Sequence, residues 1–182
     1  MAIDKIQSES INLADNFAFT GTITGVGGIG IIHNYLSSGN TSIPDSTHTV
    51  LTNSFSADAT LGSAMSVSSG VWTFPENGYY LVNWTANASL YPGTNVDVTM
   101  LQSGVDYSTD SGSNWTGKAI HSQTSIIGKR DGSHTFNASN FVVDVTNAST
   151  FRLRFKVYKE DNTTNNMDMN NIVVAFTKLA DT

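Results

Sequence analysis

The side chains that most often perform chemistry are few in this sequence, and they are dispersed. Histidine occurs at only four positions, which are His33, His48, His121 and His134. None of them has a second histidine or a carboxylate at a spacing typical of zinc sites, such as H-x-x-x-H, and the chain contains no cysteine. The pattern therefore predicts structural or surface histidines and no metal centre.

Serine and aspartate are abundant, yet no G-x-S-x-G nucleophile elbow occurs in the chain. A Ser-His-Asp triad is recognised by its geometry, so a β-sandwich hydrolase stays open as a minor alternative at this point. The sequence predicts no catalytic residues and a protein that is not an enzyme.

Two oxygen-rich segments, 106–114 (DYSTDSGSN) and 160–168 (EDNTTNNMD), contain the ligand atoms that calcium prefers. Neither has the EF-hand spacing, and the same residue types are typical of solvated connections between strands. We favour the second interpretation and leave calcium binding open.

A glycine-rich run from Gly25 to Gly30, GVGGIG, matches the G-x-G-x-x-G pattern of dinucleotide-binding loops. Such a loop must open a helix whose N-terminus faces the pyrophosphate, whereas only IIHNYL follows here before SSGN. We therefore predict a flexible joint at this run and no bound cofactor.

The charge pattern excludes several classes of partner. The formal net charge is −6, and the Lys and Arg residues form no cluster of the kind that nucleic acid requires. Alternating basic residues at 152, 154 and 156 indicate the solvent face of one strand. No segment approaches the ~20 apolar residues of a membrane span. The N-terminus lacks the features of a signal peptide, so we expect synthesis in a cytoplasm without export.

Apolar residues recur with a period of two, which predicts strands. In segment 150–159 (TFRLRFKVYK) aromatic and aliphatic side chains alternate with basic ones, and segment 79–86 (YYLVNWTA) alternates similarly. Turn residues separate about ten such segments, and no helix is indicated. This spacing predicts an all-β protein, a β-sandwich or jelly roll over residues 46–182, preceded by an N-terminal arm and linker over residues 1–45.

The segment 74–84, FPENGYYLVNW, resembles the signature of two related groups of proteins: the globular heads of complement's first component (subcomponent q) and the tumour necrosis factor superfamily. There an aromatic residue, a proline-containing turn, a glycine, a tyrosine, an apolar residue and a second aromatic residue follow in order. The positions that fit are Phe74, Pro75, Gly78, Tyr80, Val82 and Trp84. Val82 fits as an apolar residue, although an aromatic residue is more usual at its position, and weaker matches extend the resemblance over residues 46–180.

This resemblance implies a jelly-roll head of about ten strands that assembles as a homotrimer. Because obligate interfaces resemble a domain core cut in half, the sequence leaves open which apolar side chains pack within one subunit and which between subunits. The candidates for either role are Phe74, Tyr79, Tyr80, Leu81, Val82, Trp84, Phe151, Leu153, Phe155 and Phe176. A monomer in which all of them belong to the core is the alternative.

The first 25 residues, MAIDKIQSESINLADNFAFTGTITG, resemble the N-terminal segment of structural proteins of marine tailed bacteriophages. The resemblance implies a virion protein that is made in the host cytoplasm and partners other virion proteins, such as the major capsid or tail protein. We predict that the arm docks on the particle through Ile11, Leu13, Phe17 and Phe19. The head would decorate the capsid or act as a short fibre, in contact with a host glycan or receptor. A soluble, glycan-binding, complement-like module is the alternative.

Overall fold

The computed structural model describes residues 29–182, except for position 45 and the segments 91–97, 127–133 and 162–166. The predicted docking side chains and most of the glycine-rich run therefore lie outside the described residues. The described chain consists of strands and turns, and no helix in it is long and apolar enough to cross a membrane.

The alternating segments form antiparallel strands. Their bounds are β1 (Ile32–Ser38), β2 (Thr41–Ile43), β3 (Thr49–Val50), β4 (Ser54–Leu61), β5 (Ser66–Ser68), β6 (Val71–Thr73), β7 (Gly78–Leu90), β8 (Val98–Ser108), β9 (Thr116–Ile126), β10 (His134–Val145), β11 (Arg152–Asp161) and β12 (Met167–Ala180).

Two sheets pack face to face. Sheet A has the order β10-β7-β12-β1-β4, with β2 paired to β12, and sheet B has the order β5-β6-β11-β8-β9, with β3 paired to β11. The chain passes from one sheet to the other after β2, β3, β4, β6, β7, β9, β10 and β11, and such repeated crossings are typical of a jelly roll. The prediction of an all-β jelly-roll sandwich is thus confirmed.

The predicted arm and linker, residues 1–45, include a strand that pairs within the sandwich. Strand β1 lies between β12 and β4 in sheet A, so the head already includes this part of the chain. In β1 the side chains of His33 and Tyr35 are buried, as is that of Ile31 just before the strand, because they alternate toward sheet B. The neighbouring glycines and serines hid this short alternation in the sequence.

Aromatic rings fill the space between the sheets. Trp72 of sheet B is fully buried, and its ring centroid lies 4.9 Å from that of Tyr35, 5.0 Å from that of Phe55 and 5.0 Å from that of Phe176. Two of these pairs, with Tyr35 and Phe55, are edge-to-face, and such pairs contribute about 0.5–1.5 kcal/mol each beyond the burial of their area. The aromatic content of the chain thus joins the two sheets.

The segment 74–77 forms the turn between β6 and β7 and is fixed from both sides. The Asn77 side chain donates to the carbonyl of Thr146 and accepts from the amide of Ala148, each over 2.8 Å, which ties this turn to the one between β10 and β11. Gly78 follows with a φ of 148°, and a Cβ there would lie 2.6 Å from the carbonyl oxygen of Ala180. The glycine of the signature is therefore a steric requirement.

Candidate functional site

The structure divides the predicted packing residues into two groups. Most of them are buried within one subunit, between the sheets: Phe74, Tyr80, Val82, Trp84, Phe151, Leu153, Phe155 and Phe176. Tyr79 and Leu81 point the other way, out of sheet A, and Tyr79 is 41 % exposed. The single-subunit core thus accounts for the first group, and the second group lies on an outer surface.

Exposed apolar side chains concentrate on the outer face of sheet A. The large hydrophobic residues that are exposed in the described chain are Ile29, Leu36, Leu61, Tyr79, Val142, Val173 and Leu179. All but Ile29 belong to strands of sheet A. Scattered apolar residues are normal on a protein surface, whereas a contiguous group marks an interaction site.

The strand register arranges this face in rows. The hydrophobic row consists of Val142, Leu81, Thr177, Ile32 and Leu61, which are paired across five strands. The next row, called here the amide row, consists of Asn140, Asn83, Ala175, Asn34 and Ala59. A third row contains Thr85, Val173, Leu36 and Ser56. None of the three rows contains a charged residue, so the middle of the face is electrically neutral.

The outer face of sheet B is chemically different, because it carries an ion cluster. Arg154 donates to Oδ2 of Asp106 through Nε and Nη2, over 3.1 and 3.0 Å, and Nζ of Lys156 lies 2.6 Å from Oδ1. The Asp106 side chain is only 5 % exposed. The Arg154 guanidinium also stacks over Trp115, 4.1 Å from the ring centroid. The basic strand face predicted as merely solvated is therefore partly buried around a carboxylate.

The first oxygen-rich segment, 106–114, forms most of the connection between β8 and β9 and is held by hydrogen bonds between its own residues. Asp110 accepts hydrogen bonds from the Asn114 amide over 2.9 Å, the Ser108 hydroxyl over 2.7 Å and the Asn114 side chain over 2.6 Å. These three donors use most of the roughly four acceptor sites of the Asp110 carboxylate. In the described residues no group of three or more histidine, aspartate and glutamate side chains could hold a metal ion.

The same hydrogen bonds predict the acid response of this loop. Led by the Asn114 backbone amide, they lower the pKa of Asp110 to about 2. Since the pKa of an unfolded aspartate is about 3.9, the loop is stabilised above that pH and loses the stabilisation as the pH falls toward the folded pKa. We expect a nuclear magnetic resonance titration of the Asp110 carboxyl carbon to show this low midpoint.

The matched variant for that titration is Asp110→Asn, which keeps the shape of the side chain but cannot titrate. The difference in unfolding free energy between wild type and this variant should be constant above about pH 5 and shrink at lower pH. A midpoint for Asp110 at or above its unfolded value would contradict the assigned hydrogen bonds.

The histidines do not converge on a site in the described chain. His33 is fully buried in the core, stacks on Tyr35 with ring centroids 6.1 Å apart, and neither of its ring nitrogens has a hydrogen-bond partner. His48 is exposed and contacts the ring of Tyr158, with centroids 4.9 Å apart. The side chains of the other two histidines lie outside the described residues. His33 and His48 thus form no part of a triad with a serine or aspartate.

A small cleft at one end of the sandwich, of about 180 Å³, is lined by Tyr107, Val143, Asp144 and Phe151. The rings of Tyr107 and Phe151 stack, with centroids 5.9 Å apart. Among the described residues of this lining, Asp144 is the one with a charged side chain.

Comparison with known proteins gives the fold and no closer relationship. No family model matches the chain, and neither does any curated protein. Murine APRIL at pH 5.0 matches with a TM-score of 0.54 and 10% identity, over 82% of this chain and 98% of that chain. The globular domain of zebrafish complement 1qA matches with a TM-score of 0.53 and 8% identity, over 84% of this chain and 99% of that chain.

A further similar structure is Eiger TNF from S. frugiperda, with a TM-score of 0.51 and 11% identity, over 85% of this chain and 95% of that chain. Identities this low show the fold alone. The head therefore has the jelly-roll fold that the tumour necrosis factor and complement globular-head proteins share, and the resemblance predicted from segment 74–84 is confirmed.

Proposed function

We propose that the chain is a non-enzymatic structural protein of a bacteriophage virion, made in the host cytoplasm. It is a homotrimer whose jelly-roll head decorates the capsid or forms a short head or tail fibre, positioned to contact a host glycan or receptor. The observation that carries the assembly is the three uncharged rows across the middle of the outer face of sheet A, which include exposed aliphatic side chains. The assignment to a particle rests on the resemblance of the first 25 residues to structural proteins of marine tailed phages.

A copy of the same chain suits the outer face of sheet A better than an unrelated partner does. In a rotationally symmetric assembly, identical residues approach one another near the axis, where like charges would repel. The three rows contain no charge, so a second and a third copy can pack on them without repulsion. The ion cluster of sheet B is then left at the outside of the assembly, in contact with water.

Such an assembly also explains why the outer face of sheet A is more apolar than the outer face of sheet B. An antiparallel sheet normally has one face on the core and one polar face in water. Sheet B follows this pattern, whereas sheet A exposes Leu36 at 42 %, Val142 at 45 % and Leu61 at 51 % in a single subunit. Covering these side chains with neighbouring subunits would remove apolar area from water at about 25 cal/mol per Å².

Deletion of residues 1–24 tests the role on the particle. The core described above begins at Ile31, so the shortened chain should fold, melt near the wild-type temperature and keep the wild-type assembly mass. It should no longer bind purified particles that lack the protein, as measured by co-sedimentation. A matched variant, Phe17→Asp with Phe19→Asp, should lose binding in the full-length chain.

Two outcomes would contradict the proposal in different ways. Normal sedimentation of the deleted chain with particles would remove the docking role of the arm. Turnover of a polysaccharide by the wild-type protein would favour the hydrolase, and sugar binding by the free protein without any attachment to particles would favour the complement-like module.

A further inference from the structure

We infer that the amide row fixes the register and the number of subunits in the assembly. This inference rests on the proposed homotrimer and adds to it the residues that select three subunits in one arrangement. The row crosses the outer face of sheet A between two rows that are richer in aliphatic side chains, and it is defined by Asn140, Asn83, Ala175, Asn34 and Ala59.

The two inner amides lie on strands that are separated by one strand. Asn83 of β7 and Asn34 of β1 both pair with Ala175 of β12, so roughly 10 Å, two strand spacings, separate them. Ala175 carries only a methyl group, which leaves a shallow depression between the two amides. A side chain from another subunit can enter this depression and reach both of them.

Neither inner amide is satisfied by its own subunit. Asn34 and Asn83 are half-buried, and within the described residues their side chains form no hydrogen bond, whereas Asn77 and Asn53 have two or more partners each. In an isolated subunit, water molecules can form hydrogen bonds with these amides. When neighbouring subunits cover the face, the amides lose this water and need new partners.

The energy of that exchange depends on register. A buried amide without a partner costs about 1–3 kcal/mol, and an amide both donates and accepts, so it can pair with a copy of itself. An arrangement that places the amide rows of neighbouring subunits together satisfies all of them. A shifted arrangement presses aliphatic side chains of the hydrophobic row onto unsatisfied amides and is therefore disfavoured.

This device is the sheet counterpart of the single buried asparagine that selects register and oligomeric state in coiled coils. There the polar residue lowers the stability of the correct assembly and lowers that of the wrong assemblies more. The rows on either side would supply most of the association energy, while Asn34 and Asn83 would supply the selection among the possible arrangements.

The test replaces the two inner amides in the full-length chain with leucine, as Asn34→Leu with Asn83→Leu. We expect the variant to associate still, but with several masses and not the single value of three subunits, in size-exclusion chromatography with light scattering. The matched control is Thr85→Leu, which adds apolar surface on the same strand and face outside the amide row. It should keep a single mass of three subunits.

A second variant keeps the test decisive if the leucine protein precipitates. Asn83→Asp preserves the size of the side chain and places one like charge per subunit where the rows meet, so the mass should fall to one subunit at neutral pH. Ser68→Asp, at an exposed position of sheet B, should not change the mass.

The results separate this inference from the proposed function. If the wild type is trimeric and the leucine variant is uniformly trimeric as well, the amide row does not have the inferred role, while the homotrimer is retained. A trimeric Asn83→Asp variant would lead to the same conclusion. A monomeric wild type would instead overturn the homotrimer, and the amide row would then have no assembly to select.

Discussion

Val173→Asp is expected to convert the proposed homotrimer into monomers of 19.5 kDa at neutral pH. Val173 lies on β12, the central strand of sheet A, where it pairs with Thr85 and Leu36 and is 38 % exposed in the single subunit. Covering it in an interface would bury one unpaired carboxylate per subunit. An uncompensated buried charge costs about 3–5 kcal/mol, and three of them are comparable with the roughly 12 kcal/mol of a nanomolar association.

Light scattering on the eluted peak measures the effect directly, with the wild type at three times the subunit mass. The control is Thr73→Asp, which adds the same charge on β6 of sheet B and should keep the wild-type mass. The subunit of Val173→Asp should retain its strand content by circular dichroism, since this side chain does not enter the core. A Val173→Asp protein with the wild-type mass would place the interface elsewhere.

Asp106→Ala is expected to destabilise the folded head by about 3 kcal/mol or more. The carboxylate accepts two bonds from Arg154 and pairs with Lys156, whose side chains are only 26% and 18% exposed. Its removal leaves two partly buried cations that repel each other without a counter-charge. Breaking one partner of a buried ion pair is far more damaging than replacing the whole group with apolar residues.

Urea unfolding at one fixed protein concentration measures this loss, because the stability of an assembly depends on concentration. The informative control is the combined replacement Asp106→Leu, Arg154→Met and Lys156→Met, which removes all three charges and should recover most of the lost stability. A loss below about 1 kcal/mol in Asp106→Ala would show that the cluster behaves as an exposed surface pair.

The sequence was sufficient for the strands of the core and insufficient for the two outer faces. The alternation of Tyr80, Val82 and Trp84 states which side of β7 is buried, because side chains on one strand face alternate sides. The alternation does not indicate whether the other side of the strand, where Tyr79 and Leu81 lie, is in contact with water or with another subunit.

Features that combine side chains from different strands could not be predicted from the sequence for a further reason. Arg154 and Asp106 lie 48 positions apart in the chain and meet only through the pairing of β11 with β8. The amide row likewise takes its side chains from five strands, and Asn34 and Asn83 become neighbours of Ala175 only through the register of β12. Local patterns predict strands, whereas register decides which surface residues meet.

The two ends of the folded head emerge together. Ile32 pairs with Thr177, and the amide of Lys178 donates to the carbonyl of Ile31, so the chain enters sheet A beside the place where it leaves. At the opposite end of the same sheet, Leu90 pairs with Met167, and His134 pairs with Ser89. A head held at its N-terminal side would carry a C-terminal fusion toward its support. A foreign epitope joined to the end of β7 at Leu90 would begin at the opposite end of the sheet from this support, and the proposed homotrimer would carry three copies of it, which is the geometry that a display scaffold requires.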